Sequence, residues 1–113
     1  NNPRGAFFME QMIFVCSPYR GDIETNTKLA RRYCRYAVDK GFIPIAPHLL
    51  FPQFMDDNDS EERKLVIEMN LRILQRCSEL WVFGREITIS MWQEIKAAQE
   101  LGIHVHYVGT EEG

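Results

Sequence analysis

The sequence predicts a small doubly wound α/β domain: a three-layer sandwich around a four-stranded parallel sheet in the order 2-1-3-4. Three observations predict it. Short β-rich apolar runs alternate with stretches of helical spacing; every gap between runs is long enough to hold a crossover helix; and the run richest in proline is fit only for an edge. With 113 residues, 45% hydrophobic and 26% charged, the composition is that of one globular domain. A chain of this size buries about two thirds of its unfolded surface without disulfides or a structural metal.

Residues 1–11 show no clear period and are set aside as an N-terminal extension, of which 1–8 read as foreign to the domain; 12–113 form the single domain. Residues 12–17, closed by Pro18, read as a strand buried on both faces. From Asp22 or Thr25 to Lys40 the spacing is helical, with Leu29, Ala30, Tyr33, Ala37 and Val38 on one stripe and Gly41 as the stop. Residues 42–47 return to extended character, and Pro44 and Pro47 demote them to an edge strand. The segment 48–58 reads as a long loop, a candidate lid, whose Phe51, Phe54 and Met55 would pack on the core or at a subunit contact.

Ser60 or Asp59 caps a second long helix carrying Val66, Met69, Ile73 and Cys77 on one stripe. Residues 80–83 form the third strand, stopped by Gly84. A third helix is expected to start at Ser90, where Ser90-Met91-Trp92-Gln93 fits a capping box, and to end at Gly102; residues 103–108 are the last strand. This alternation is that of a flavodoxin- or Rossmann-like sheet with the first strand central.

The net charge of −3 lacks the footprint of a protein that neutralises a phosphate backbone, so duplex nucleic acid is not an expected partner. Lys28, Arg31, Arg32 and Arg35 recur at helical spacing and read as a solvated helix face. No run approaches the roughly 20 apolar residues that span a bilayer, so no membrane is expected. Cys16, Cys34 and Cys77 form no C-x-x-C pair and suit a reducing, cytoplasmic setting. No cofactor is expected, and no metal: His104 and His106 share one face of the last strand, but spacing places no third ligand beside them.

In an open parallel sheet the ligand crevice lies outside the carboxyl ends of the strands at the switch point, here between the first and third. Two loops meet there, 17–21 and 84–90. Arg20 and Gly21 suit a phosphate, through a guanidinium fork and a close backbone approach, or else form a plain turn. Neither a P-loop nor a dinucleotide fingerprint is present. Glu94, one helical turn past Ser90, can face the crevice as a reacting carboxylate, or simply complement the macrodipole near a helix N-terminus. His48 is a candidate polar contact.

The blocks Ile13-Phe14-Val15-Cys16-Ser17-Pro18-Tyr19-Arg20-Gly21, Cys77-Ser78-Glu79-Leu80-Trp81-Val82-Phe83-Gly84, and Ile89-Ser90-Met91 with Glu94-Ile95, Ala98 and Gly102-Ile103-His104-Val105 resemble the nucleoside 2-deoxyribosyltransferase-like family. That family includes the related 2'-deoxynucleoside 5'-phosphate N-hydrolases. The resemblance implies glycosyl transfer with retention: Glu94 attacks the anomeric carbon, and water or a second base resolves the sugar-enzyme intermediate. It implies that Ser17, Arg20, Gly21 and Ser90 hold a 5'-phosphate or sugar hydroxyls, and that Tyr19 lines the sugar and base pocket and hydrogen-bonds the nucleophile. Pro18, Gly84 and Met91 belong to the matching blocks and are counted with the binding residues.

Two departures stand out. Asn70 replaces an aspartate that handles the base, and Trp92 replaces a glycine near Met91, where its bulk would wall the base or narrow the approach to Glu94. Three readings follow: an N-glycosidic bond-cleaving or base-exchanging enzyme acting on a nucleoside or its 5'-monophosphate; a nucleotide binder without turnover; and an interaction module using Phe51, Phe54 and Met55. All three are expected to associate as a homodimer or higher oligomer.

Overall fold

The computed structural model describes residues 11–110; most of the N-terminal extension assigned above lies outside the described residues. The chain runs β1 (Met12–Cys16), α1 (Ile23–Asp39), β2 (Ile43–Ile45), α2 (Pro47–Leu50), a 3-10 turn (Phe51–Gln53), α3 (Ser60–Gln75), β3 (Glu79–Phe83), α4 (Ile89–Glu100) and β4 (His104–Gly109). The sheet is parallel throughout in the order β2-β1-β3-β4, as the crossover argument requires.

The two central strands, β1 and β3, share the same burial: after one half-buried residue, every position is closed to solvent. Their side chains alternate between two cores. Ile13, Val15, Trp81 and Phe83 point toward α1 and meet Tyr33 and Ala37. Phe14, Cys16, Leu80 and Val82 point the other way and meet Leu74 of α3 with Met91, Ile95 and Ala98 of α4. β2 is three residues long at one edge, with Pro44 opposite Ile13, which keeps a residue lacking an N–H out of the central ladder.

Asp22 caps α1, accepting from the Thr25 amide at 3.2 Å. At the other end Gly41 takes φ +96°, the left-handed conformation that ends a helix cheaply only in glycine. Asp59 caps α3 through the Glu61 and Glu62 amides.

Four sequence expectations need correction. Val38 is 40% exposed, because the α1 stripe facing the sheet is narrowed to Ala30, Tyr33 and Ala37. The segment 48–58 is not an open loop: Pro47, pre-set for the first helical position, starts the short helix α2, and the 3-10 turn follows. Phe51 is buried there while Phe54 is exposed, so the three apolar residues do not form one patch. Finally, α4 is capped by Thr88 rather than Ser90: Thr88 Oγ1 accepts from the Met91 amide at 3.2 Å, and the Met91 sulfur takes the Thr88 amide.

Candidate functional site

Where β1 and β3 end, the chain leaves them in opposite senses, and the gap between the departing loops is a cavity of about 800 Å³. Its floor and walls come from Ser17 and the β1–α1 loop, from α2, from the inner face of α3, and from the first two turns of α4. The position is the switch point predicted from topology.

Eight of the sequence candidates line this cavity: Ser17, Tyr19, Arg20, His48, Asn70, Ser90, Met91 and Glu94, with Met91 itself buried. Pro18, Gly21 and Gly84 do not line it. A β-carbon on Gly84, which has φ +100°, would stand 3.2 Å from Pro18 Cδ; these two residues let the crossover loops press together behind the cavity. Gly21 is an exposed turn residue whose carbonyl accepts from the Ile23 amide at 3.0 Å. Trp92 is 52% exposed and forms no part of the wall, so it neither stacks over the site nor narrows it.

Glu94 is the sixth residue of α4, beyond the first turn in which the macrodipole is felt. The alternative that Glu94 complements the macrodipole near a helix N-terminus is therefore corrected. Glu94 is a partly exposed residue that lines the cavity, and the burial of its carboxyl in that wall pushes its pKa up to about 7, since a desolvated carboxylate costs more than a desolvated acid. The opposing influence, a smaller one, is the Cys16 thiol. Tyr19 makes no hydrogen bond to Glu94 among the described residues; its ring stands edge-on to His48, centroids 6.5 Å apart.

His48 Nε2 lies 2.8 Å from Ser17 Oγ. Burial pulls the imidazole down to about 4, so it is neutral at physiological pH and acts as a hydrogen-bonding partner, not a charge. The Ser17 hydroxyl is thus held from behind at the cavity wall.

At the mouth, Arg20 Nε donates to Asp57 Oδ2 at 2.8 Å and its Nη2 lies 2.6 Å from the same oxygen. The Asn26 amide secures the loop beneath by donating to the Tyr19 and Arg20 carbonyls at 3.0 and 3.1 Å. On the opposite wall, Asn70 Oδ1 is buried with no hydrogen-bond partner. An orphan acceptor of this kind costs about 1–3 kcal/mol unless something donates to it, and this one belongs to a cavity-lining residue.

Cys16, Asp57, Asn26 and Thr88 were not singled out from sequence. No group of three or more His, Cys, Asp or Glu able to hold a metal ion occurs among the described residues. His104 and His106 stack on each other at 6.5 Å on an exposed edge strand.

The architecture is that of a nucleoside deoxyribosyltransferase-like fold. A solved 2-deoxyribosyltransferase from Bacillus psychrosaccharolyticus is similar at a TM-score of 0.66 and 18% identity, over 90% of this chain and 75% of that one. Residues 11–108 match the family model described as a domain of unknown function, DUF7768, and the chain belongs to that family. A search of curated proteins gives no match.

Proposed function

We propose that this protein cleaves or exchanges the N-glycosidic bond of a nucleoside or nucleoside 5'-monophosphate, with Glu94 as nucleophile. The observation that carries the reading is a carboxyl, its pKa raised to about 7 by burial, among the residues lining the cavity at the strand ends. In its ionised form a Glu94 oxygen attacks the anomeric carbon as the bond to the base breaks, and the electron pair leaves with the base, which takes a proton from solvent. Water or a second base then attacks the same carbon, loses a proton, and releases Glu94. Two displacements give retention and split one high barrier into two lower ones.

The remaining lining residues divide the substrate. Arg20 and Ser17 take the 5' end, with Arg20 exchanging Asp57 for phosphate oxygens; Ser90 takes a sugar hydroxyl; Tyr19, Met91 and His48 frame the sugar; and Asn70 takes a base N–H on its orphan oxygen. The single-domain assignment to 12–113, a cytoplasmic setting and a homo-oligomer belong to the same reading. They are supported by three free cysteines and by the exposed Leu65, Ile67, Ile89 and Trp92 on α3 and α4. No helix among the described residues is long and apolar enough to cross a membrane.

One observation favours a second reading, a nucleotide binder without turnover: Asn70 supplies no titratable proton, and Asp57, the second carboxylate lining the cavity, is tied to Arg20. The two readings separate on incubation with deoxynucleosides and their 5'-monophosphates. Enzyme action releases free base, measured by chromatography, and Glu94→Gln stops it. A binder releases none, yet shows ligand-dependent thermal stabilisation that survives Glu94→Gln and weakens in Arg20→Ala.

A further inference from the structure

The Arg20–Asp57 pair joins two segments that hold their shapes without it. The β1–α1 loop is fixed from beneath by the Asn26 amide, which donates to the Tyr19 and Arg20 carbonyls. The turn carrying Asp57 has bonds of its own: Glu62 Oε1 accepts from the Asp56 amide at 2.7 Å, Asp56 Oδ1 from the Asn58 amide at 2.9 Å, and the Asp56 carbonyl from the Asp59 amide at 3.1 Å. Opening the pair therefore costs the fold little, as its exposure of 48% and 40% on the two side chains also implies. The pair is moreover an incomplete use of the guanidinium. Arg20 Nε and Nη2 both reach one carboxylate oxygen, Oδ2, at 2.8 and 2.6 Å, and Nη2 makes a longer bond of 3.3 Å to the Asp57 carbonyl. A fork-on-fork pair engages two carboxylate oxygens, and a phosphate group offers three. The cavity is lined by three cations, Arg20, Arg63 and Lys64, and by two acids, Asp57 and Glu94; Asp57 is the acid that occupies Arg20.

We propose that Asp57 is a specificity-determining residue: its carboxylate is an internal competitor for Arg20, which a ligand's 5'-phosphate must displace. The strength of the pair then sets how far the cavity prefers phosphorylated ligands over their unphosphorylated counterparts. This role rests on the reading of Arg20 as the contact for the 5' end, and it is independent of what Glu94 does. A ligand without a phosphate leaves the pair closed and is indifferent to it. A ligand with one must open the pair first, so its apparent affinity falls by the factor that the closed state represents. For a half-exposed ion pair that factor is about twofold to fivefold.

The test is a calorimetric titration of inorganic phosphate into the full chain at fixed ionic strength, for the wild type, Asp57→Ala, Arg20→Ala and the double variant. Asp57→Ala binds phosphate about twofold to fivefold more tightly than the wild type. Arg20→Ala binds it more weakly by about tenfold or more, and on that background the removal of Asp57 brings no gain. Asp56→Asn, which drops the neighbouring charge but keeps an oxygen for the Asn58 amide, leaves the affinity at the wild-type level. Unchanged or weaker binding in Asp57→Ala overturns the proposal. So does an equal gain in Asp56→Asn or on the Arg20→Ala background, or a failure of phosphate to bind any of these proteins. With deoxynucleosides and their 5'-monophosphates, on a Glu94→Gln background to prevent turnover, Asp57→Ala tightens the monophosphates alone; an equal gain for both overturns the proposal. Phosphate binding that follows Asp57 and Arg20, with no base released by the wild type, supports the competitor and removes the reaction. Base release that needs Glu94, with phosphate binding indifferent to Asp57, keeps the reaction and removes the competitor.

Discussion

On one face of the sheet a single long helix, α1, closes over an aromatic cluster: Tyr33 stacks on Phe83 at 4.5 Å, and Phe42 and Tyr36 stand edge-on to Trp81 at 5.0 and 6.1 Å. On the other face α3 and α4 share the work, and α3 contributes one wholly buried residue, Leu74, while Leu65 and Ile67 are about half exposed. The half-closed face holds the cavity and the chemically costly groups: the desolvated carboxyl of Glu94 and the orphan oxygen of Asn70. Apolar packing on both faces supports the fold, but the desolvated polar groups lie on the second alone, so substitutions at the aromatic cluster and at the cavity should fail in different ways.

The largest effect is expected at Glu94. Glu94→Gln lowers base release by more than about 10³-fold if the carboxylate is the nucleophile, measured by chromatography under initial-rate conditions, while the fold is retained or strengthened. Phe83→Ala, on the packed face, does the reverse: it costs about 3–5 kcal/mol of stability by leaving a cavity among aromatic rings. Denaturant titration measures that loss, with the residual folded protein keeping its catalytic pH profile.

The protonation of Glu94 sharpens the contrast. Its folded pKa, about 7, lies above the ordinary value of 4.5, so between these values the folded state binds a proton that the unfolded state releases. Wild-type stability from this group is therefore lost as pH rises from 4.5 to 7, by on the order of 3 kcal/mol. Stability curves of Glu94→Gln and the wild type should diverge over that window and run parallel above it. Activity moves oppositely, rising with pH through about 7 as the nucleophile ionises.

Smaller effects lie at the cavity wall. Asn70→Leu removes an unsatisfied acceptor and raises stability by about 1 kcal/mol, while weakening nucleotide binding in calorimetry. Arg20→Ala changes stability by less than about 1 kcal/mol, since the Arg20–Asp57 pair is half exposed. It should nevertheless weaken ligands bearing a 5'-phosphate and spare those without one.

Much of this was readable in the chain. The apolar runs of β1 and β3, the glycine stops at Gly41 and Gly102 and the proline-marked edge strand fix the topology, and topology alone puts the crevice between residues 17–21 and 84–90. Glu94 was legible because it lies one turn beyond Ser90 on the helix entering that crevice. The rest was hidden for physical reasons. The cap at Thr88 is closed by a methionine sulfur in place of the usual Glu or Gln, so Ser90 with Gln93 fitted the familiar pattern better. The Arg20–Asp57 pair joins residues 37 apart in sequence, a contact that no local spacing encodes. Cys16 looks like a small core residue because by burial it is one.

The central claim, that Glu94 attacks the sugar, is tested most directly by mass spectrometry of the protein quenched in acid during incubation with a deoxynucleoside or its 5'-monophosphate. A deoxyribosyl mass on the peptide containing Glu94, absent from Glu94→Gln, is the predicted result. Release of free base at the wild-type rate by Glu94→Gln, with no adduct on any peptide, would contradict it.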